Sequence, residues 1–310
     1  MCASATPYDD VFRTILNDCK ELIYPLLNEI FQEGYTGSED ISFGMNEHFM
    51  NQQQGKSKKR ITDSSFTVKS VLIIRYHLEC QSTSDFTMDK RMFEYDSQIA
   101  LEDSEKVNDI LNLPFPKSAV LFLRKPTHTI KKMKLCIKQY TKEFILEIRT
   151  LYVTNYTIEE LIQKNLFILF PFHIFCYEKE LKEMNNNSVK LQKLQKSFLM
   201  MKRYLEQMNK YEKLSEYNFR TIIRMTINVI TSLCKNYDNV KKEVLQIMGG
   251  EILEYPEKTI LNEGKQIGLS EGRKTAYIEM VQKGFLNLQE AADEIPMDVE
   301  ELKKIIRRTE

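Results

Sequence analysis

Between residues 60 and 104 the pattern of hydrophobic and polar positions changes period. Ile61–Val68 and Val71–Ser82 alternate with the period of two that marks strands, and a short polar break around Lys69 separates them. An amphipathic helix follows from near Asp89, its expected N-cap, with Met92, Phe93 and Ile99 for packing. In the second strand Leu72, Ile74, Tyr76, Leu78 and Cys80 share one face. The other face reads Val71, Ile73, Arg75, His77, Glu79, Gln81 and turns from apolar to polar along its length. A half-buried structural strand more usually keeps its core face apolar to the end.

If the hairpin closes around Lys69 with Val68 opposite Leu72, Asp63 faces His77 and Glu79 is the diagonal neighbour of Asp63, roughly 7 Å away at the Cβ atoms. Two carboxylates at that separation suit one hard divalent cation, which takes oxygen ligands at roughly 2.0–2.6 Å. Gln81 points to the same side and can hold a phosphate or the attacking water. Along the helix Arg91, Tyr95 and Gln98 fall on one face.

Away from this stretch, residues 10–33 carry an apolar stripe at helical spacing, interrupted by Pro25, which predicts a kink or a second helix there. ISFGMNEHFM reads as a first strand, followed by the basic loop NQQQGKSKKR. A helix is expected at 105–112, strands at Ser118–Arg124 and Phe144–Val153, and a capping box at Thr157/Glu160 opening a buried helix through Phe175. Residues 183–250 read as mostly helical, with Leu191, Leu194, Phe198, Met201 and Leu205 forming one seam, and the glycines of MGGE ending the last helix. The tail carries Gly264, Gly268 and Gly272 at spacing four and then a helix-turn-helix cadence around Pro296. Its second helix opens with Asp298, Glu300 and Glu301, an unfavourable charge beside phosphates.

Asp63, fifteen intervening residues and then Glu79-Cys80-Gln81 resemble the PD-(D/E)xK nuclease core in its ExQ form. With the flanking DDVFRTILNDCKELIYPLLNEIF, FPKSAVLFLR, YTIEELIQKNLFILFPFHIFCYEKEL and MGGEILEYPEKTILNEGKQIGLSEGR, the chain resembles the Rpn family of recombination-promoting nucleases, also described as transposases. The resemblance implies an α/β fold: a restriction-endonuclease-like mixed sheet flanked by helices, with a helical C-terminal extension. Its expected divisions are a nuclease-like core at 1–182, a helical extension at 183–250 and a Gly-punctuated tail at 251–310. It implies a DNA endonuclease dependent on Mg2+, with Mn2+ as a substitute. Asp63, Glu79 and Gln81 are then catalytic, and Asp63, Glu79 and Cys80 hold the metal. Arg91, Tyr95, Lys59 and Arg60 lie on the substrate side. In such folds the first helix often adds an acidic ligand; Glu29 is the candidate, against a solvated helix face as the plainer reading. Glutamine replaces the usual lysine at position 81, so it can hydrogen-bond but brings no charge; Lys90 or Arg91 would have to supply it. A catalytically weak or inactive DNA-binding or protein-interaction scaffold is the alternative function.

Composition narrows the classes. Formal net charge is zero, with 44 basic and 44 acidic residues, so a DNA binder of this kind must localise its positive charge; Lys56, Lys58, Lys59 and Arg60, just before Asp63, could steer a phosphate backbone, with a solvated loop as the equal alternative. The six cysteines form no metal-ligand spacing, which fits reduced thiols in a cytoplasmic protein. Asn165–Tyr177, the longest apolar run, is too short to span a bilayer and contains Pro171 and His173, so no membrane partner is expected. Cutting both strands of a duplex would favour a homodimer.

Overall fold

The computed structural model describes residues 6–43, 47–50, 58–61, 64–82, 87–125, 130–249 and 281. The chain divides into two compact units, Met1–Glu251 and Ile252–Glu310. The first is described below; the glycine-spaced segment and the expected helix-turn-helix of the second lie outside the described residues.

The N-terminal apolar stripe breaks where Pro25 led one to expect. Helix α1 runs Pro7–Asp18, a 3-10 turn covers Lys20–Leu22, and α2 runs Ile23–Phe31, with Pro25 in its first turn, where a missing N–H leaves no helical bond unmade. The expected single first strand is two, β1 (Asp40–Phe43) and β2 (Glu47–Met50); β2 pairs antiparallel with β3 (Lys58–Ile61) in a separate two-stranded sheet. Next come β4 (Ser64–Lys69), β5 (Ile73–Gln81) and α3 (Met88–Glu102). Thr87, not Asp89, is the N-cap of α3; Asp89 sits in the first turn, where its charge still complements the helix dipole.

Residues 105–112 are not helical. They form β6 (Glu105–Val107) and β7 (Ile110–Asn112), joined by Asn108 and Asp109, both at positive φ. Two consecutive left-handed residues of these types make the tight hairpin turn whose twist matches paired strands. Strand β8 is Lys117–Phe122. The basic stretch after it holds a further strand, β9 (Lys132–Gln139), antiparallel to β10 (Lys142–Tyr152).

The main sheet has the order β1-β4-β5-β8-β10-β9. It is mixed: the β1, β4 and β5 neighbours are antiparallel, β8 runs parallel to both β5 and β10, and β9 is antiparallel at the edge. The parallel step from β5 to β8 requires a crossover, and α3 lies in it. Methionines 88 and 92 of α3 pack on Val120, Met133 and Ile148 from β8, β9 and β10. On the opposite face Tyr76 stacks on Phe66 at 5.8 Å and meets Phe31 of α2 at 5.2 Å between ring centres. Both faces of β5 are therefore covered, and every residue from Tyr76 to Gln81 is buried. The fold is α/β: a mixed sheet flanked by helices, with a helical C-terminal portion, as the sequence leads one to expect.

That portion begins with the capping box of Thr157 and Glu160 on α4 (Ile158–Gln163). The buried helix expected through Phe175 winds instead as a long 3-10 segment, Phe167–Glu180, with Pro171 inside it. A proline in mid-helix removes one donor and crowds the preceding turn, which opposes regular α winding. Helices α5 (Leu181–Asn186), α6 (Ser188–Lys210), α7 (Glu216–Leu233) and α8 (Asp238–Met248) follow, and Gly249 ends α8 in the left-handed conformation. Phe172 of the 3-10 segment meets Phe12 of α1 at 6.4 Å, and His173 meets Phe198 of α6 at 6.4 Å. From Phe167 to Phe175 the segment is buried on all sides, which is why its sequence shows no helical stripe.

The Asn187 side chain caps α6 by accepting from the backbone N–H groups of Val189 and Lys190. Asn187→Ala is expected to lower unfolding free energy by about 1 kcal/mol, read as an unchanged slope and a lower midpoint in urea. Among the described residues no helix is long and apolar enough to cross a membrane.

Candidate functional site

The polar face of β5 becomes a site because of what the neighbouring strands and α3 place over it. The β4–β5 ladder pairs Val68 with Ile74, Phe66 with Tyr76, Ser65 with His77 and Ser64 with Leu78. This register is two residues away from the expected one, because the turn takes Ser70, Val71 and Leu72 out of the ladder. A shift of two preserves faces, so Arg75, His77, Glu79 and Gln81 still share a side. It does put Ser65, rather than Asp63, across from His77. Asp63 lies outside the described residues.

Helix α3 and strands β4 and β8 meet β5 over that face. His77 of β5 presents Nδ1 to Asp96 Oδ1 of α3 at 2.7 Å and Nε2 to Glu79 Oε1 at 3.2 Å. The Ser118 hydroxyl, from the paired position on β8, donates to the same Asp96 oxygen at 2.8 Å. Arg91 of α3 donates from Nη2 to Glu79 Oε2 at 3.2 Å and from Nη1 to Gln81 Oε1 at 3.4 Å. Arg75 continues the line outward, bonding Ser65 at 2.9 Å and Thr67 at 3.2 Å. Thr6, the N-cap of α1, lies 3.3 Å from the hydroxyl of Ser82, the residue that follows β5.

The charges of His77 and Glu79 are shielded from water: the two side chains are 0% and 1% exposed, whereas Arg91 is 24% exposed and reaches solvent. Burial opposes a charge on His77, but hydrogen bonds to Asp96 and Glu79 outweigh it and raise its pKa to about 9. Burial likewise raises the pKa of Asp9 in the first turn of α1; its hydrogen bonds to Thr6 and the charge of Arg13 pull the other way, and the negative charge of Glu79 adds to the rise.

The expected site residues divide as follows. Glu79, Gln81 and Arg91 come together. Tyr95 is a support: its ring meets the edge of His77 at 5.8 Å and lies under the Arg91 guanidinium at 5.9 Å. The Cys80 side chain is buried on the opposite face. Lys59 and Arg60 belong to β3, and their side chains lie outside the described residues. Glu29 is tied to Lys164 at 2.7 Å and to the Tyr156 hydroxyl at 2.8 Å, so it serves packing between α2 and the region of α4. The acid that α1 brings toward β5 is Asp9. Gln98 bonds Glu102 along its own helix and stands apart from the cluster.

Asp96, His77, Ser118 and Asp9 were given no role by sequence reasoning. One signal was present. The inward stripe of α3 is Met88, Met92, Tyr95, Asp96 and Ile99, and a carboxylate inside an apolar helical stripe demands a partner.

For a hard cation the donor chemistry is of the right type, since Glu79 offers oxygens. The described donors do not complete such a site: both Glu79 oxygens already accept hydrogen bonds, and among the described residues no group of three or more His, Cys, Asp or Glu could hold a metal ion. Compared with protein-family models, with curated proteins and with solved structures, the chain matches none.

Proposed function

We propose that this chain is a metal-dependent DNA endonuclease of the PD-(D/E)xK, Rpn-like kind, hydrolysing phosphodiester bonds and promoting recombination. One observation carries the reading: a buried carboxylate, Glu79, and an amide, Gln81, share one face at the end of a central strand and are gripped together by one arginine from the next helix. A scissile phosphate is anionic throughout its reaction, so a site for it needs an acid to manage water and a cation to face the phosphate. Arg91 meets the second need where Gln81, being neutral, cannot.

Asp63 is the second acid in this reading. Mg2+, or Mn2+ in its place, would be held by Asp63, Glu79 and the Cys80 carbonyl; when bound it supplies Lewis-acid stabilisation and an activated water. The chain's own residues do the rest. Arg91 orients Glu79 and faces the phosphate, Gln81 hydrogen-bonds the phosphate or water, and Lys59 and Arg60 steer the DNA backbone. A homodimer would cut both strands, and the cytoplasm is the compartment where DNA and free thiols such as Cys19, Cys80 and Cys234 coexist.

One observation favours a second reading. With both oxygens of Glu79 engaged, a protein that binds DNA through this scaffold without cutting it fits the described residues as well. Plasmid nicking separates the two. With Mg2+ the full chain is expected to convert supercoiled plasmid to open circle, and Asp63→Ala to lose that conversion. Nicking no greater than in the Asp63→Ala control, alongside retarded DNA in a gel, would replace the nuclease with the scaffold.

A further inference from the structure

We propose that His77 and Asp96 are positioning residues that fix the Glu79 carboxylate, with Ser118 anchoring the far end of the line. The proposal deepens the nuclease reading and rests on it for its kinetic consequence, but its structural core stands on geometry alone.

The line runs Ser118 to Asp96 to His77 to Glu79, with contacts of 2.8, 2.7 and 3.2 Å. Ionised carboxylates only accept, so a ring with one on each nitrogen donates from both, which leaves no choice of ring orientation. Each member sits on a regular element: Ser118 on β8, Asp96 on α3, His77 and Glu79 on β5. The Tyr95 ring closes off the edge of the imidazole. Glu79 is thus held from one side by a fully buried group and from the other by Arg91, which reaches solvent. The buried side can keep the carboxylate in place while the arginine turns toward a substrate phosphate.

Stability alone does not require an ionic network at this place. The surrounding layer is apolar, with Met92 and Val120 at 0% exposure. Well-packed apolar side chains commonly match or exceed a buried ionic network in stability. What an apolar pair could not do is aim Glu79. In the resembled motif Glu79 is a reacting-site residue, whereas His77 and Asp96 act only through it.

The test compares full-length wild type, His77→Ala and His77→Gln in two measurements: steady-state nicking of supercoiled plasmid with Mg2+, and the crystallographic position of the Glu79 carboxylate. Glutamine can still donate to Glu79; alanine cannot. His77→Ala is expected to lose about 10²-fold in kcat, the usual consequence of a misplacement of about 1 Å, with KM for DNA nearly unchanged. His77→Gln is expected to recover most of the loss. In crystals the carboxylate should be displaced in His77→Ala and in place in His77→Gln. An unmoved carboxylate in His77→Ala, unchanged kcat, or a glutamine variant no better than alanine would overturn the proposal. If wild type does not nick plasmid, the nuclease reading fails and the crystallographic comparison alone decides the positioning role. If His77→Ala does not fold, His77→Asn replaces it, its amide being one bond too short to reach Glu79.

Discussion

Glu79→Gln is expected to reduce Mg2+-dependent nicking by about 10³-fold while the protein still folds. The substitution preserves shape and removes one charge. In the native cluster both oxygens of Glu79 accept, one from His77 and one from Arg91. An amide has a single oxygen, so its NH2 must face one of those donors. His77 is fully buried between two carboxylates and has nowhere to go, whereas Arg91 is partly exposed and can turn to solvent. The amide oxygen therefore stays with His77 and Arg91 is released. Asp96 still balances the imidazolium, so the variant avoids the full penalty of an orphaned buried charge; a loss of about 1–3 kcal/mol in urea is expected. The rate suffers more, because the buried acid of the proposed cation pair is gone and Arg91 no longer spans Glu79 and Gln81. A plasmid time course at saturating Mg2+ reads the rate. Nicking by Glu79→Gln at the wild-type rate would remove Glu79 from the chemistry, and with it the reason for the proposal.

The face of β5 was legible because strand alternation needs no tertiary information. The turn was not. Val71 and Leu72 look like strand residues by type, yet they sit exposed at the hairpin tip, outside the ladder, and the two-residue change of register follows. Residues 105–112 misled for a related reason: in so short a stretch a few apolar positions suit either period, and only the left-handed pair Asn108–Asp109 decides for a hairpin. The lysines of the basic stretch suit DNA contact and an edge strand equally by type; they lie on β9 at the edge of the sheet, where such charges discourage pairing with other chains. The α6 seam was readable: Leu194, Phe198, Met201 and Leu205 are buried, and Leu191 at its start is half-buried. The network behind Glu79 was the least accessible. His77, Asp96 and Ser118 come from a strand, a helix and a second strand, and only the parallel pairing of β5 with β8 brings His77 beside Ser118. No local pattern encodes that pairing. The carboxylate in the α3 stripe announced that a partner was needed, not which one.

Two buried histidines with opposite shifts should give the metal-free protein a stability maximum near pH 6.5. His173 packs against the rings of Tyr177 and Phe198, and its Nε2 has no hydrogen-bond partner. Burial lowers its pKa to about 4, against about 6.5 in an unfolded chain. Below pH 6.5 the unfolded state takes up a proton that the folded state refuses, so this contribution is complete above pH 6.5 and is lost as pH falls toward 4. For His77 the sign is reversed. Burial works against its charge, but Asp96 and Glu79 raise its pKa to about 9, so its contribution is complete below pH 6.5 and is lost as pH rises through 9. Each limb amounts to about 3 kcal/mol at its far end. Urea midpoints measured in chelator from pH 4 to 10 give the profile, and other groups cancel in the difference between wild type and each variant. His173→Phe should flatten the acid limb and leave the alkaline one, and His77→Gln should do the opposite. Because the two rings lie in different layers, one against the helical portion and one inside the sheet's polar face, the effects should add in the double variant. A difference curve for His173→Phe that stays level from pH 6.5 to 4 would mean that the ring takes its proton in the folded state, and hence that water or a polar partner reaches Nε2.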